Sequence, residues 1–432
     1  MTHPLPFGAG RRVAVIGAGI AGMGAAYRLA GSARVTLIEA EPRLGGHART
    51  VQAGRDGTQA VDTGFIVFNR VNYPNLTALF DRLGVELSES NMGFSASLDG
   101  GRMEWSGETW ASIFGQRRNL VRPAFLKMLH DVVRFNTHAE AAVTADPDIS
   151  IGDLITTLGL GDGFRDYYLL PFAGAIWSTP TLDVLDFPAN TMIRFFKNHS
   201  LLKAAGRHRW YTVKGGAVEY VSRLEQSLSN MGVSIRCAAP VECVRRSLLG
   251  AEVKIQGAEW ERFDEVVFAC HADQALEMLS DATPAEAAAL GAIRFHPNRA
   301  VLHADPVAMP VRERCWTAWN HVAPRNPTHP GIALTYWMNA LQPIPKSDPL
   351  FVTLNATQEI REELIYDEVT FAHPLYTADA IRAQETLRRL NGARATWFCG
   401  AWMKNGFHED GLASGLDVAE ALLERQIQEH AA

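Results

Sequence analysis

The chain has 432 residues, 47% of them hydrophobic and 20% charged, and a formal net charge of −6 at pH 7. That length suits two or three domains and that composition a globular protein with a substantial core, while the acidic balance argues against nucleic acid as the main partner. The five cysteines (Cys237, Cys243, Cys270, Cys315 and Cys399) are scattered without C-x-x-C spacing, which excludes an obvious zinc site or disulfide framework and fits reduced thiols in a cytoplasmic protein.

The opening MTHPLPFGAGRR lacks a long apolar region, so no secretory signal is expected. Residues 13–16 then form a short apolar run that predicts a buried parallel strand. Gly17, Gly19 and Gly22 follow in G-x-G-x-x-G spacing, with Ile20 and Ala21 between the last two. The first glycine allows a tight turn, the second lets backbone approach a pyrophosphate, and the third lets a helix pack closely on the strand. Residues 34–38 read as a second strand, closed by Glu39 and Ala40. An acid about 20 residues after the glycines is placed to accept the hydroxyls of an adenosine ribose. The intervening helix offers unpaired N–H groups and a positive dipole to the phosphates. Strand, glycines, helix and acid together predict a dinucleotide cradle.

The next residues, EPRLGGHART, carry Arg43 and a second glycine pair, Gly45 and Gly46. A glycine pair directly after the ribose-binding acid resembles the flavin amine oxidase superfamily, which includes monoamine oxidases, protoporphyrinogen oxidases and carotenoid desaturases. The resemblance implies FAD, with this loop wrapping the pyrophosphate. Where that superfamily commonly has arginine after the pair, this chain has His47. It also implies that Gly64, Phe65 and Ile66, beyond a polar hairpin at 51–60, pass beside the isoalloxazine ring.

Residues 72–85 have helical spacing ended by Gly84, and 93–105 alternate around a Gly-Gly turn as a hairpin. From 109 to 130 there is no acid, while Arg117, Arg118, Arg122 and Lys127 alternate with Trp110, Phe114, Leu120 and Leu126. A second acid-free reach, 187–218, holds Arg194, Lys197, Lys203, Arg207, Arg209 and Lys214 with Phe195, Phe196 and Trp210. Basic amphipathic segments with interfacial aromatics lie on anionic membranes, so peripheral contact with the inner face of the cell membrane is one expectation; an ordinary solvated face is the other. No apolar stretch reaches the ~18 residues of a spanning helix.

Residues 151–177 read as mixed helix and loop, 218–228 as a helix, and 233–236 and 266–270 as strands. The segment at Val241 resembles the superfamily's adenine-contacting strand. Residues 271–290 read as helical, and 300–303, 332–338 and 350–354 as strands. Trp316, Trp319, Tyr336 and Trp337 are candidates to line an apolar cavity.

At the end, 395–399 is apolar, Gly400 follows, and GFHEDGLASGLDVAEALL runs from Gly406. The family resemblance implies a helix start near Asp410, Gly411 and Leu412 that directs its N–H groups at the flavin and stabilises negative charge there. His408 and Glu409 are the ionisable candidates for the proton lost alongside a hydride, and Lys404 lies nearby. No cysteine sits in a covalent flavin motif, so noncovalent FAD is expected.

The implied fold is α/β and monoamine-oxidase-like: a discontinuous two-domain arrangement of a Rossmann-type FAD domain (10–70, 206–292 and 392–432) and a mixed α+β substrate domain (71–205 and 293–391). Residues 61–69, 301–310 and the GFHEDGLASG segment resemble a bacterial group that contains the acyl desaturase of furan fatty acid synthesis. That resemblance implies a lipid or other apolar small-molecule substrate, with a hydride and a proton removed from an unsaturated, methylated or unmethylated, fatty acyl chain. Amine oxidation and non-redox double-bond isomerisation or hydration are the alternatives. The electron acceptor is not indicated.

Overall fold

The computed structural model describes residues 10–177, 183–198, 202, 208–247, 250–323 and 333–431. A five-stranded sheet organises the chain. Its strands are ordered Thr396–Phe398, Glu265–Phe268, Arg12–Ile16, Arg34–Ile38 and Ser234–Arg236, and every pairing is parallel. Numbered by sequence this is the order 3-2-1-4-5 of a dinucleotide-binding sheet, whose direction of winding reverses beside the first strand. A ligand binds at the carboxyl ends of the strands at such a reversal. Residues 17–19 leave the first strand at that place.

The first strand's run of Val13, Ala14, Val15 and Ile16 is buried throughout, as expected for a strand covered on both faces. One face packs on the helices Ile20–Leu29, Pro74–Leu83, Val218–Asn230 and the closing helix His408–Ala431. The opposite face packs on Ala272–Met278, Pro284–Ala292 and Ala378–Leu390. The first and closing helices touch so closely that a Cβ on Gly415 would lie 2.1 Å from the Ala21 carbonyl.

A second, seven-stranded sheet is mixed. It runs Ile365–Pro374, Phe295–His303, Phe351–Leu354, Leu334–Trp337, Trp319–Val322, Phe94–Leu98 and Met103–Ser106. Its pairs are antiparallel except Trp319–Val322 with Phe94–Leu98. That parallel pair joins the hairpin from the first half of the chain to strands from the second. Beside it lies a helical cluster around Phe135, Phe164, Phe196 and Met192.

Several expectations need correcting. Residues 271–290 are two helices, because Thr283 caps a new start at Pro284 and accepts from Glu286 N. Residues 151–177 are mixed as expected, with helix Ile151–Thr157, a loop at 158–161 and then helix that contains a π-turn at Arg165–Leu169. The ten-residue strand Ile365–Pro374 was not anticipated; Asp367, Glu368, Thr370 and His373 break up its apolar positions, and most of its residues are only partly buried. The second acid-free reach is acid-free in sequence but not in space. Lys197 meets Glu140, Arg209 meets Glu89 at 3.5 Å, and Lys214 meets Glu86 at 2.9 Å. Lys203 and Arg207 of that reach lie outside the described residues. Among the described residues no helix is long and apolar enough to cross a membrane.

Candidate active site

Two glycine loops meet at the carboxyl end of the first strand. Gly19 bridges to Gly45 in parallel fashion, and Gly45 N donates to Ala18 O at 2.9 Å. Gly22 supports this from below: a Cβ there would sit 1.9 Å from the Gly17 carbonyl, so only glycine lets the helix approach. Gly19 is the opposite case, since a Cβ there would meet nothing within 4 Å. Its missing side chain leaves open space above a helix N-terminus, the environment a pyrophosphate requires. Glu39 is held in place at the rim, its carboxylate accepting from Ala18 N at 2.6 Å and Glu41 N at 2.9 Å. Arg43 braces the second loop by donating to the carbonyls of Gly46, Ala48 and Leu44 at 2.8, 3.2 and 3.3 Å. These residues fit the adenosine diphosphate portion of FAD.

A cavity of about 1720 Å³ starts at these loops and runs to the seven-stranded sheet. Gly17, Gly19, Ile20, Ala21, Glu39 and Ala40 line its first part. Arg43, Gly45, Gly46 and His47 line the second loop's side, and Val241 the flank. Gly64, Phe65 and Ile66 line it further along, with Gly400, His408 and Gly411. The far chamber is aromatic, with Phe94, Trp105, Tyr168, Phe172, Trp319 and Tyr336. Trp319 and Tyr336 meet edge to face at 5.2 Å, and Phe94 meets Phe172 at 5.1 Å. Trp319 Nε1 and the Tyr376 hydroxyl are buried without a hydrogen-bond partner among the described residues, and both residues line the cavity. Buried donors left unmatched at a cavity wall are the signature of a site that expects a ligand.

Burial keeps His47, His271, His373 and His408 of the cavity neutral. His47 is stacked on Phe371 at 4.9 Å, 5.6 Å from His373 and 6.0 Å from His271. Burial first, then the neighbouring histidines, holds its pKa well below the ordinary value. Burial lowers His373 to about 4, and Asn298 donates to its Nδ1 at 2.9 Å. His408 stacks on Phe65 with centroids 3.8 Å apart, and burial lowers it to about 3. Its Nε2 lies 2.6 Å from the Tyr220 hydroxyl, a phenol that burial holds protonated. We assign the phenol as donor, which leaves the imidazole proton on Nδ1. His408 therefore has little affinity for a second proton.

Glu409 does not reach the cavity. Its carboxylate accepts from Asn75 N at 3.0 Å, Asn75 Nδ2 at 2.8 Å and Leu76 N at 2.9 Å, satisfying the start of the helix Pro74–Leu83. Asp410 accepts from Phe407 N at 3.0 Å, and burial raises it to about 6. Leu412 is buried against Gly24. Asp410, Leu412 and Gly22 thus shape the framework rather than the cavity wall. Lys404 pairs with Asp417 at 2.9 Å. Trp316 meets Trp337 edge to face at 5.6 Å, and neither lines the cavity.

Tyr220, His271, His373 and Phe371 were missed from sequence. Tyr220 reads as an ordinary apolar position of an amphipathic helix, and Phe371 and His373 lie on the strand that was itself missed.

The same geometry has counterparts among known proteins. Residues 20–423 match the family described as flavin containing amine oxidoreductase. A 48-residue stretch is 52% identical to the L-amino-acid oxidase of Pseudechis australis, covering 11% of this chain and 9% of that protein's length. Among solved structures, a CLA-producing fatty acid isomerase from P. acnes superposes with a TM-score of 0.68 at 15% identity, over 95% of this chain and 98% of the other. Cyclohexylamine oxidase from Brevibacterium oxydans IH-35A gives 0.69 at 14% identity, over 96% and 99%. At those identities the likeness is one of fold.

Proposed function

As the chain belongs to the family of flavin-containing amine oxidoreductases, we propose that it holds FAD noncovalently and acts as a desaturase on an unsaturated fatty acyl chain, methylated or unmethylated, of a membrane lipid. The observation that carries this reading is the aromatic chamber that continues the cofactor cleft. Phe94, Phe172, Trp319 and Tyr336 present apolar faces, while Glu89 and Glu108, the cavity carboxylates of that part, are exposed. An extended hydrocarbon is desolvated against these faces, while the unmatched Trp319 Nε1 and Tyr376 hydroxyl call for an acceptor elsewhere on the ligand. A cationic amine would find its countercharge only near solvent.

Cys270 is a cavity residue whose thiol burial pushes up to about 12. It is protonated at neutral pH and a poor nucleophile, which supports noncovalent binding. When bound, FAD supplies a two-electron acceptor for hydride. The protein orients the chain against the Phe65 and His408 wall and excludes water from it. Hydride leaves best from an allylic carbon, and its loss makes the neighbouring C–H strongly acidic. A weak base then suffices, and water at the cavity mouth can take that proton; with Nδ1 protonated and Nε2 accepting from Tyr220, His408 orients the chain and does not receive it.

The test is anaerobic bleaching of the flavin absorbance by membrane lipid extract and, separately, by an amine panel. Bleaching by lipid with a product two hydrogens lighter is the expected result; bleaching by amines alone refutes the reading. Double-bond isomerisation is a second reading, suited to the same chamber; the P. acnes structural relative is a fatty acid isomerase. It gives a lipid product of unchanged mass.

A further inference from the structure

The acid-free reach at 109–130 folds as a short helix Trp110–Ile113, a 3-10 turn Arg117–Val121 and the start of a long helix Pro123–Ala145. These pieces keep large apolar side chains in water. Trp110 is 80% exposed, Val121 82%, Leu120 53% and Leu126 43%. Short connections pull in a second segment: Gly101 lies against Val311, Gln116 Nε2 donates to Gly101 O at 3.3 Å, and Gly115 abuts Cys315. Val311, itself 73% exposed, therefore belongs to the same surface.

Cations are interleaved with this apolar set. Arg102, Arg117, Arg118 and Arg314 are exposed and have no acidic partner among the described residues. Two acids of the surrounding chain are neutralised. Glu104 is buried under Arg312 at 2.7 Å, and Asp131 is buried under Lys127 at 2.6 Å. Asp99, Glu108 and Glu313 remain exposed. A chain of net charge −6 thus concentrates unpaired arginines around its most exposed tryptophan and valines.

We propose that this face, residues 101–126 with 311–314, docks on an anionic lipid bilayer. Tryptophan and aliphatic side chains insert at the headgroup boundary while the arginines meet lipid phosphates. Position supports the assignment as well as charge. Gly107 and Glu108 line the cavity and lead directly through Thr109 into Trp110. The docked face therefore borders the mouth of the aromatic chamber, so an apolar molecule can pass from bilayer to cavity with little exposure to water. The docking does not depend on which apolar molecule is the substrate, and binding to vesicles is read without turnover.

The experiment uses FAD-loaded full-length protein in co-sedimentation with vesicles of phosphatidylglycerol and phosphatidylethanolamine, against vesicles of phosphatidylcholine. Partition into the anionic vesicles alone, weakening as salt is raised, is expected. At about fivefold per arginine near the surface, R117Q/R118Q lowers partition roughly 25-fold. W110S/V121S abolishes it with the melting temperature unchanged. Absence of partition, equal partition into both vesicles, or indifference to both double variants overturns the proposal. So does a monomer–dimer equilibrium abolished by W110S/V121S without vesicle binding, which would assign the face to a second copy of the chain.

Discussion

The Tyr220 hydroxyl and His408 Nε2 lie 2.6 Å apart, tying the helix Val218–Asn230 to the first residue of the closing helix. The contact fixes a neutral imidazole face to face with Phe65 at the cavity wall. It makes Tyr220 a positioning residue for His408.

Tyr220→Phe removes the donor and leaves Nε2 buried and unmatched, at a stability cost of about 1–3 kcal/mol. FAD content stays near stoichiometric, while flavin reduction slows on the order of tenfold, equivalent to about 1.4 kcal/mol of barrier. Because His408 is neutral, kcat/KM has no inflection near pH 6.5 due to it. An inflection there that disappears in His408→Asn contradicts the assignment.

The two glycines of the first loop separate fold from cofactor. Gly22→Ala drives a methyl into the Gly17 carbonyl, so soluble expression and melting temperature both fall. Gly19→Ala meets no protein atom, and the residue's φ of −70° suits alanine. Its apoprotein melts as the parent does, but FAD affinity drops at least tenfold because the methyl occupies the phosphate's approach. Equal FAD affinity in titration would refute the cradle.

Glu409 is a matter of stability. Glu409→Ala strips acceptors from the second and third residues of the helix Pro74–Leu83, which costs about 1–2 kcal/mol as other N-terminal cap losses do. Urea denaturation should show that loss, with the rate of flavin reduction in the holoenzyme unchanged within twofold. A rate collapse with intact stability would restore a chemical role.

Acid lability follows from buried neutral histidines. Burial lowers His303, His321 and His373 to about 4 and His408 to about 3. The unfolded chain takes up these protons near pH 6.5 and the folded chain does not, so their stabilisation is complete above that pH and declines below it. Asp62 and Asp410 act with the opposite sign. Burial raises them to about 7 and about 6, so the folded chain keeps protons that the unfolded chain releases from about pH 3.8 upward. The histidines outnumber the carboxyls by two, at up to about 1.4 kcal/mol per pH unit each. The melting temperature therefore falls as pH is lowered from 6.5 to 5, and a flat or rising profile would contradict it.

Local rules made the cofactor end legible. The run Val13–Ile16, the glycines at 17, 19 and 22, and Glu39 lie within one strand–helix–strand unit, whose geometry follows from sequence spacing alone. The second glycine loop and the closing helix were legible through their resemblance to the flavin amine oxidase superfamily. The sequence likewise placed Trp319 and Tyr336 among candidates for an apolar wall. It could not separate them from Trp316 and Trp337, which share their composition and lie on or beside the same strands.

What tertiary structure alone decided is which side chains meet across long separations. Glu409 and His408 are adjacent in sequence and equally ionisable, yet successive helix residues point about 100° apart. One faces the cavity and Tyr220, the other the start of a helix more than 300 residues earlier. The two acid-free reaches looked alike because sequence records only near neighbours. Glu140, Glu89 and Glu86 pair with Lys197, Arg209 and Lys214 of the second from distant elements, and no such acids approach Arg117 and Arg118 of the first among the described residues. Spacing determined the cradle because its contacts are local, whereas the charge of a surface and the neutrality of a buried imidazole belong to the assembled fold.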